Sequence, residues 1–304
     1  MRAVWSFWSK PFQAYKGRIW REPQHHLLAW GLSLQQARQH FAETQLVTDT
    51  AGKRLLIDLL GLKFDNVSTE LDQLHDADPG WWALGKLLAY SLQDRPFVHI
   101  DTDVFLWRPL PSRLTSAQVF AQCPESHPLE NAWCGPRHIE YLFDRHNLSL
   151  PVEWQWASSR NTTWFREENC GILGANNVEF IRHYAQTALD MVSNPAHRAL
   201  WAELPEKSGF TMLIEQFLLA CCIDYHRIAP QSAHRGVSMR YLFPSWSEAY
   251  NPHTAAALGY THLLGDTKTH PAVMARLERR VAQLDPTFLL HCQRVAQSPA
   301  TVGV

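Results

Sequence analysis

The first hundred residues alternate between short apolar runs and longer stretches with helical periodicity. Residues 2–8 (Arg-Ala-Val-Trp-Ser-Phe-Trp) read as a buried strand that stops at Ser9-Lys10-Pro11. Pro23 leads a helical stretch over 25–41, with apolar Leu27, Leu28, Trp30, Leu32, Leu34 and Ala37. A strand over 44–48, a turn at Asp49-Thr-Ala-Gly52, a helix over 53–60 and a strand over 64–67 follow. The spacing of Trp81, Leu84, Leu88 and Leu92 predicts a helix over 81–92, and 96–100 is a strand leading into Asp101. This alternation predicts an α/β fold: a mostly parallel central sheet covered by helices on both faces. In such sheets ligands lie beyond the carboxyl ends of the strands, where Asp101 and Asp103 stand.

The pattern loosens over 110–166, where Pro109, Pro111, Pro124, Pro128, Pro136 and Pro151 punctuate it. Loops, short strands and one helix over 139–145 are expected there. Helices are predicted over 177–192 and 211–223, and a closing helical pair over 270–284 and 286–296. With no repeat, low-complexity tract or linker, one domain over 1–297 is expected, with a flexible tail over 298–304.

Asp101-Thr102-Asp103 carries the first chemical signal. Two carboxylates two residues apart project to one side of an extended chain and can share a hard cation. The flanking apolar Phe97-Val-His-Ile100 and Val104-Phe-Leu106 strengthen the reading, because a carboxylate inside an apolar stretch needs a partner. A cation there would hold a diphosphate and stabilise its charge as it leaves. Tyr260-Thr-His262-Leu-Leu-Gly265-Asp-Thr-Lys268 completes the set. His262 can offer an imidazole nitrogen, which favours Mn²⁺ over Mg²⁺; Gly265 lets backbone approach an oxyanion, and Lys268 brings a positive charge to a phosphate.

His-x-x-Gly-x-x-Lys downstream of an Asp-x-Asp strand resembles the retaining GT-A glycosyltransferases related to glycogenin and the bacterial lipooligosaccharide galactosyltransferases. Asn169-Cys-Gly171-Ile-Leu-Gly174 is similar to the Asn-x-Gly strand of that group, and Glu215-Gln216 to its Asp-Gln pair. The resemblance implies a GT-A, Rossmann-like fold with a C-terminal helical segment. It also implies transfer of a hexose from a UDP-sugar to an acceptor hydroxyl with retention. Asp101, Asp103 and His262 would hold the metal, Asp103 also serving catalysis, while Lys268, Gly265, Lys86 and Thr102 serve the nucleotide sugar. Asn169 and Gly171 would lie beside the sugars, and Gln216 and Glu215 at the reacting centre. Asp49 would accept from the uracil ring, unless it serves ordinary turn chemistry, and Trp8 would lie near the nucleotide or pack beneath it. The chain departs from the group at Thr269-His270, at Glu215 and in its opening strand, which makes it a divergent member.

Glu215 and Gln216 are unusual without any resemblance, since Met212-Leu-Ile214 and Phe217 to Ile223 enclose them in apolar sequence. Buried without partners, each would cost about 1–3 kcal/mol. Three alternatives stay open: a nucleotide-sugar-binding or effector protein without turnover, a nucleotidyltransferase on the same core, and a phosphatase forming an aspartyl-phosphate.

Composition narrows the partners. Lys plus Arg (28) nearly balance Asp plus Glu (29), which argues against a nucleic-acid binder. The thirteen Trp suit core packing first and sugar stacking second; Trp133, Trp154, Trp156 and Trp164 mark the irregular stretch where a glycan, lipid-linked or protein acceptor is expected. Six cysteines without a paired or Cys-x-x-Cys pattern fit reduced thiols in the cytoplasm. The first twelve residues lack the features of a secretory signal, and no transmembrane run is present, although surface aromatics leave peripheral membrane contact open.

Overall fold

The computed structural model describes residues 1–14, 19–129, 134–160 and 163–298. Nine strands lie among the described residues: β1 (Arg2–Phe7), β2 (Thr44–Thr48), β3 (Asn66–Ser68), β4 (Phe97–Ile100), β5 (Val104–Leu106), β6 (Val119–Pro128), β7 (Trp164–Ala175), β8 (Met239–Tyr241) and β9 (Tyr260–His262). Seven belong to a mostly parallel sheet, and β5 and β9 form a separate pair, so the fold is α/β with flanking helices. Two compact units emerge. Met1–Pro79, His99–Leu110 and His253–Val304 make the first, and Gly80–Val98 and Pro111–Pro252 the second.

In the first unit β1, β2 and β3 run parallel, with Ala3 opposite Thr44 and Gln45 opposite Asn66. Helix Pro23–Ala37 packs on β1 and is buried on most of its circumference, as a helix apolar all round must be; Leu27, Leu28, Trp30, Leu32 and Leu34 are all buried. Trp30 meets Phe7 edge-on at 5.7 Å, and the Trp5 indole donates to Ser33 Oγ at 3.0 Å. Burying each of these indoles stabilises the unit by several kcal/mol before side-chain entropy is charged. Helices Pro271–Leu284 and Pro286–Ala296 pack on the same helix, where Gly31 admits the Phe288 ring.

The expected turn at 49–52 is instead a helix start. Asp49 caps it by accepting from the Gly52 amide, and helix Thr50–Lys53 runs directly into a π-helical turn, Arg54–Leu59. Turn residues and an N-cap share one vocabulary, so the sequence alone does not separate them. Ser9–Ala14 is likewise helical where a stop was expected. Pro11 stands in its first turn, where proline is tolerated.

In the second unit β6 pairs antiparallel with β7 from Val119–Ala175 to Pro128–Trp164, and parallel with β8. The expected loops and short strands over 110–166 thus contain a ten-residue strand. Its register shifts between Ala121 and Cys123, an irregularity just ahead of Pro124. Helix Val152–Ser158, which the sequence reading lacked, packs against helix Leu218–Ile228, and Trp154 is fully buried edge-on to Phe217 at 4.8 Å. Trp154 is therefore a core residue, not an acceptor-side one. Trp164 is exposed, the Arg160 guanidinium lies 4.0 Å over the Trp156 ring, and Trp133 falls outside the described residues. Of the expected tail, 299–304 also falls outside them.

Candidate functional site

The first unit gathers the residues at 101–103 and 262–268. Asp101-Thr102-Asp103 is a turn between β4 and β5, closed by the Val104 amide donating to the Asp101 carbonyl at 2.9 Å, not the extended stretch expected. The antiparallel β5–β9 ladder sets Val104 opposite His262, and the Leu263 amide donates to the Asp103 carbonyl at 3.0 Å. That register, anchored by the Trp107 amide on the Gly259 carbonyl, is what carries His262 alongside Asp103 despite the distance in sequence.

One ligand atom each from Asp101, Asp103 and His262 lies within 4.8 Å of the others. His262 Nε2 is 3.4 Å from Asp103 Oδ1, and Lys268 Nζ is 2.5 Å from Asp103 Oδ2. Asp103 and His262 are nearly enclosed at their side chains, whereas Asp101 is about a quarter exposed, so the set opens on one side. Burial opposes ionisation of Asp103, but Lys268 and His262 outweigh it and hold the carboxyl well below the usual range. Two carboxylates and an imidazole with an open side suit a divalent cation of borderline hardness, and the ionised Asp103 provides charge for it.

Gly265 opens the short helical turn Gly265–Thr269 with φ +48°, a left-handed conformation natural to glycine. Its amide and Lys268 lie on this one turn, which the Arg21 amide anchors by donating to the Lys268 carbonyl at 3.1 Å. Behind Asp101, His99 Nδ1 is 3.6 Å from its Oδ1 and His99 Nε2 is 2.9 Å from Ser6 Oγ.

Trp8 and Asp49 follow the ends of β1 and β2. Trp8 is buried, and both oxygens of Asp49 are engaged: Oδ2 by the Ser9 amide and hydroxyl at 2.8 and 2.7 Å, Oδ1 by the Gly52 amide at 2.7 Å. The carboxylate caps a helix and ties it to the chain after β1.

Sequence reasoning passed over His26. Its ring stacks on Phe12 with centroids 4.4 Å apart, and its Nε2 accepts from the Trp30 indole at 2.9 Å, which puts the ring proton on Nδ1. That Nδ1 is buried with no hydrogen-bond partner among the described residues. Burial first, then the Lys268 charge, pushes its pKa down to about 3, so the ring is neutral. The available signal was the His25-His26 pair directly ahead of the apolar Leu27-Leu-Ala-Trp30.

In the second unit, Glu215 and Gln216 occupy a π-helical turn, Leu213–Phe217, that precedes helix Leu218–Ile228. Glu215 is wholly buried; Lys86 Nζ lies 2.7 Å and the Tyr90 hydroxyl 3.3 Å from its Oε1, and the Tyr184 hydroxyl donates to its carbonyl at 2.6 Å. Lys86 also donates to the Cys170 carbonyl at 3.2 Å. The Gln216 side-chain oxygen is buried and lacks a hydrogen-bond partner among the described residues. Asn169, on β7, is held on both sides: its amide donates to Glu125 at 2.6 Å and its oxygen accepts from the Gly171 amide at 3.0 Å.

Two further groups of possible metal ligands lie in this unit, Glu125–His127–Glu167 and Glu153–His183–His226. Among the described residues no helix is long and apolar enough to cross a membrane.

Solved structures that resemble the chain include the galactosyltransferase LgtC, crystallised with donor and acceptor sugar analogues. The two are 12% identical, with a TM-score of 0.42, over 98% of each chain. The glycosyltransferase GlyE of Streptococcus pneumoniae TIGR4 is 10% identical, with a TM-score of 0.29, over 70% of this chain and 43% of that one. No curated protein matches. A family match covers residues 1–294, nearly the whole chain, and on that ground the protein belongs to DUF6734, a family of unknown function.

Proposed function

We propose that the protein is a metal-dependent glycosyltransferase that moves a hexose from a UDP-sugar to an acceptor hydroxyl with retention. The observation that carries this reading is the convergence of Asp101, Asp103 and His262 within 4.8 Å, with Lys268 on the same carboxylate. A bound Mn²⁺ would supply Lewis-acid stabilisation of the leaving diphosphate. Asp101, Asp103 and His262 would hold it. Lys268 would turn from Asp103 to the phosphates, where a charge-assisted hydrogen bond is stronger than one to a neutral group. The Gly265 amide, on the same turn, would donate to a phosphate oxygen.

His26, neutral and carrying its proton on Nδ1, offers a further donor on the Lys268 side of this unit. To Gln216 we assign support of the donor sugar, a role favoured by its unpartnered buried oxygen. Glu215 would act by fixing Lys86 and the π turn that carries Gln216. Most of the acceleration in this scheme is electrostatic and positional.

Thermal unfolding with UDP, with Mn²⁺ and with both tests the reading. A ligand at about a hundred times its dissociation constant stabilises by roughly 2.7 kcal/mol. The expected result is a shift that needs both ligands and disappears in Asp103→Ala. No shift with any nucleoside diphosphate and metal would reject the site. Slow release of UDP from a UDP-hexose in water separates a transferase from a binding protein.

A further inference from the structure

We propose that Glu153, His183 and His226 form a separate divalent-cation site, of zinc type, that ties together three helices of the second unit. The three residues come from helices Val152–Ser158, Val178–Ser193 and Leu218–Ile228. His183 Nε2 is 2.9 Å and His226 Nε2 is 3.0 Å from the same oxygen, Glu153 Oε1, and the two imidazole nitrogens are 3.0 Å apart. The triangle is thus nearly equilateral. Tetrahedral zinc with bonds of ~2.0–2.1 Å sets its ligand atoms about 3.3 Å apart, so a small expansion would admit the ion.

Protons alone satisfy this arrangement poorly. Each imidazole can offer either a lone pair or an N–H at Nε2. Two N–H groups would crowd one oxygen and each other, while two lone pairs would face a carboxylate. A mixed pair leaves one lone pair beside the carboxylate oxygen. A dication accepts all three atoms at once, and it compensates a carboxylate that is 3% exposed.

The surroundings have the character of a metal site. His226 Nδ1 is 2.5 Å from Ser232 Oγ, a contact that fixes the ring and directs Nε2 inward, as outer hydrogen bonds do for metal-bound histidines. The His234 ring lies with its centroid 5.1 Å from that of His183 and 5.5 Å from that of His226, at the half-open side of the cluster. It or a water would take the fourth position. Phe180 packs edge-on against both His226 and His234, at 5.9 and 5.7 Å, and supplies an apolar wall.

The site uses none of the residues assigned to transfer, so the two readings stand or fall separately. The test uses the full-length Asp103→Ala chain, in which the candidate catalytic cation set is broken. After growth with zinc and dialysis into metal-free buffer, elemental analysis should find about one zinc ion per chain. Adding His183→Ala should cut retention about tenfold or more, in the range that loss of a metal-site partner produces. Because removing a buried ligand can cost the fold, the second measurement needs no further substitution: Co²⁺ replacing zinc should give the intense visible bands of four-coordinate cobalt. Absence of retained zinc and of those bands, or equal zinc retention in the His183→Ala protein, would overturn the proposal.

Discussion

Lys268 Nζ lies 2.5 Å from Asp103 Oδ2, so the carboxylate best placed to receive a metal already holds an ammonium. On the proposed reading, metal and lysine would compete for that oxygen until a phosphate drew the lysine away. Lys268→Ala should leave Mn²⁺ alone binding at least as tightly as before. UDP binding in the presence of Mn²⁺ should weaken about 10- to 100-fold, the loss of one hydrogen bond to a charged group. Titration calorimetry with each ligand separates the two effects, and parallel losses of both would reject the competition.

Gln216 carries a buried oxygen without a partner among the described residues. Replacing it with the similarly shaped Met should leave stability unchanged or raise it by about 1 kcal/mol, since no unsatisfied amide remains. Transfer should fall sharply while the response to Mn²⁺ and UDP persists. A protein destabilised by Gln216→Met would point to a structural amide.

His127 supplies a pH dependence with a definite sign. The Glu167 carboxylate, 3.2 Å away, raises its pKa above 6.5 against the opposing effect of burial, and Glu125 adds to the rise. A histidine raised on folding stabilises the protein fully below its unfolded value, and that contribution disappears as pH climbs through the folded value. His127→Gln should therefore lower the melting temperature at about pH 6 and have little effect near pH 9, as calorimetric scans across that range would reveal.

Gly174 faces the Phe120 ring across β6 and β7; a Cβ there would meet the ring at 2.0 Å. Gly174→Ala should destabilise by about 1–3 kcal/mol, since the fully buried ring has little room to move. Scanning calorimetry should register a drop of several degrees, with the Mn²⁺–UDP response retained. An unchanged melting temperature would mean that the strands part easily.

Much of the first unit was legible because its signals are local. Apolar spacing marked β1, β2 and helix Pro23–Ala37, and Asp101, Asp103 and His262 each sit at the edge of an apolar run. The Asp49 cap was misread because a turn and a helix start use the same residues. Strand β6 escaped notice because Pro124, Glu125 and Pro128 interrupt its second half, and only the partner β7 compensates for them. The Glu153 cluster was illegible for another reason. Residues 153, 183 and 226 lie on three helices whose packing is settled by the core, so no spacing along the chain announces their meeting.

The π turn at Leu213–Phe217 holds one residue more than an α-helix would over the same rise. Deleting one residue there would therefore remove the wide turn and leave the helix nearly in phase on its two sides. His226, on the helix that follows, would keep its bearing, while Glu215 and Gln216 would lose the backbone positions that the wide turn gives them. Winding all five residues as α-helix would instead rotate everything beyond them by about 100°. The extra residue thus lets a buried acid and a buried amide share one turn without disturbing the helix that follows.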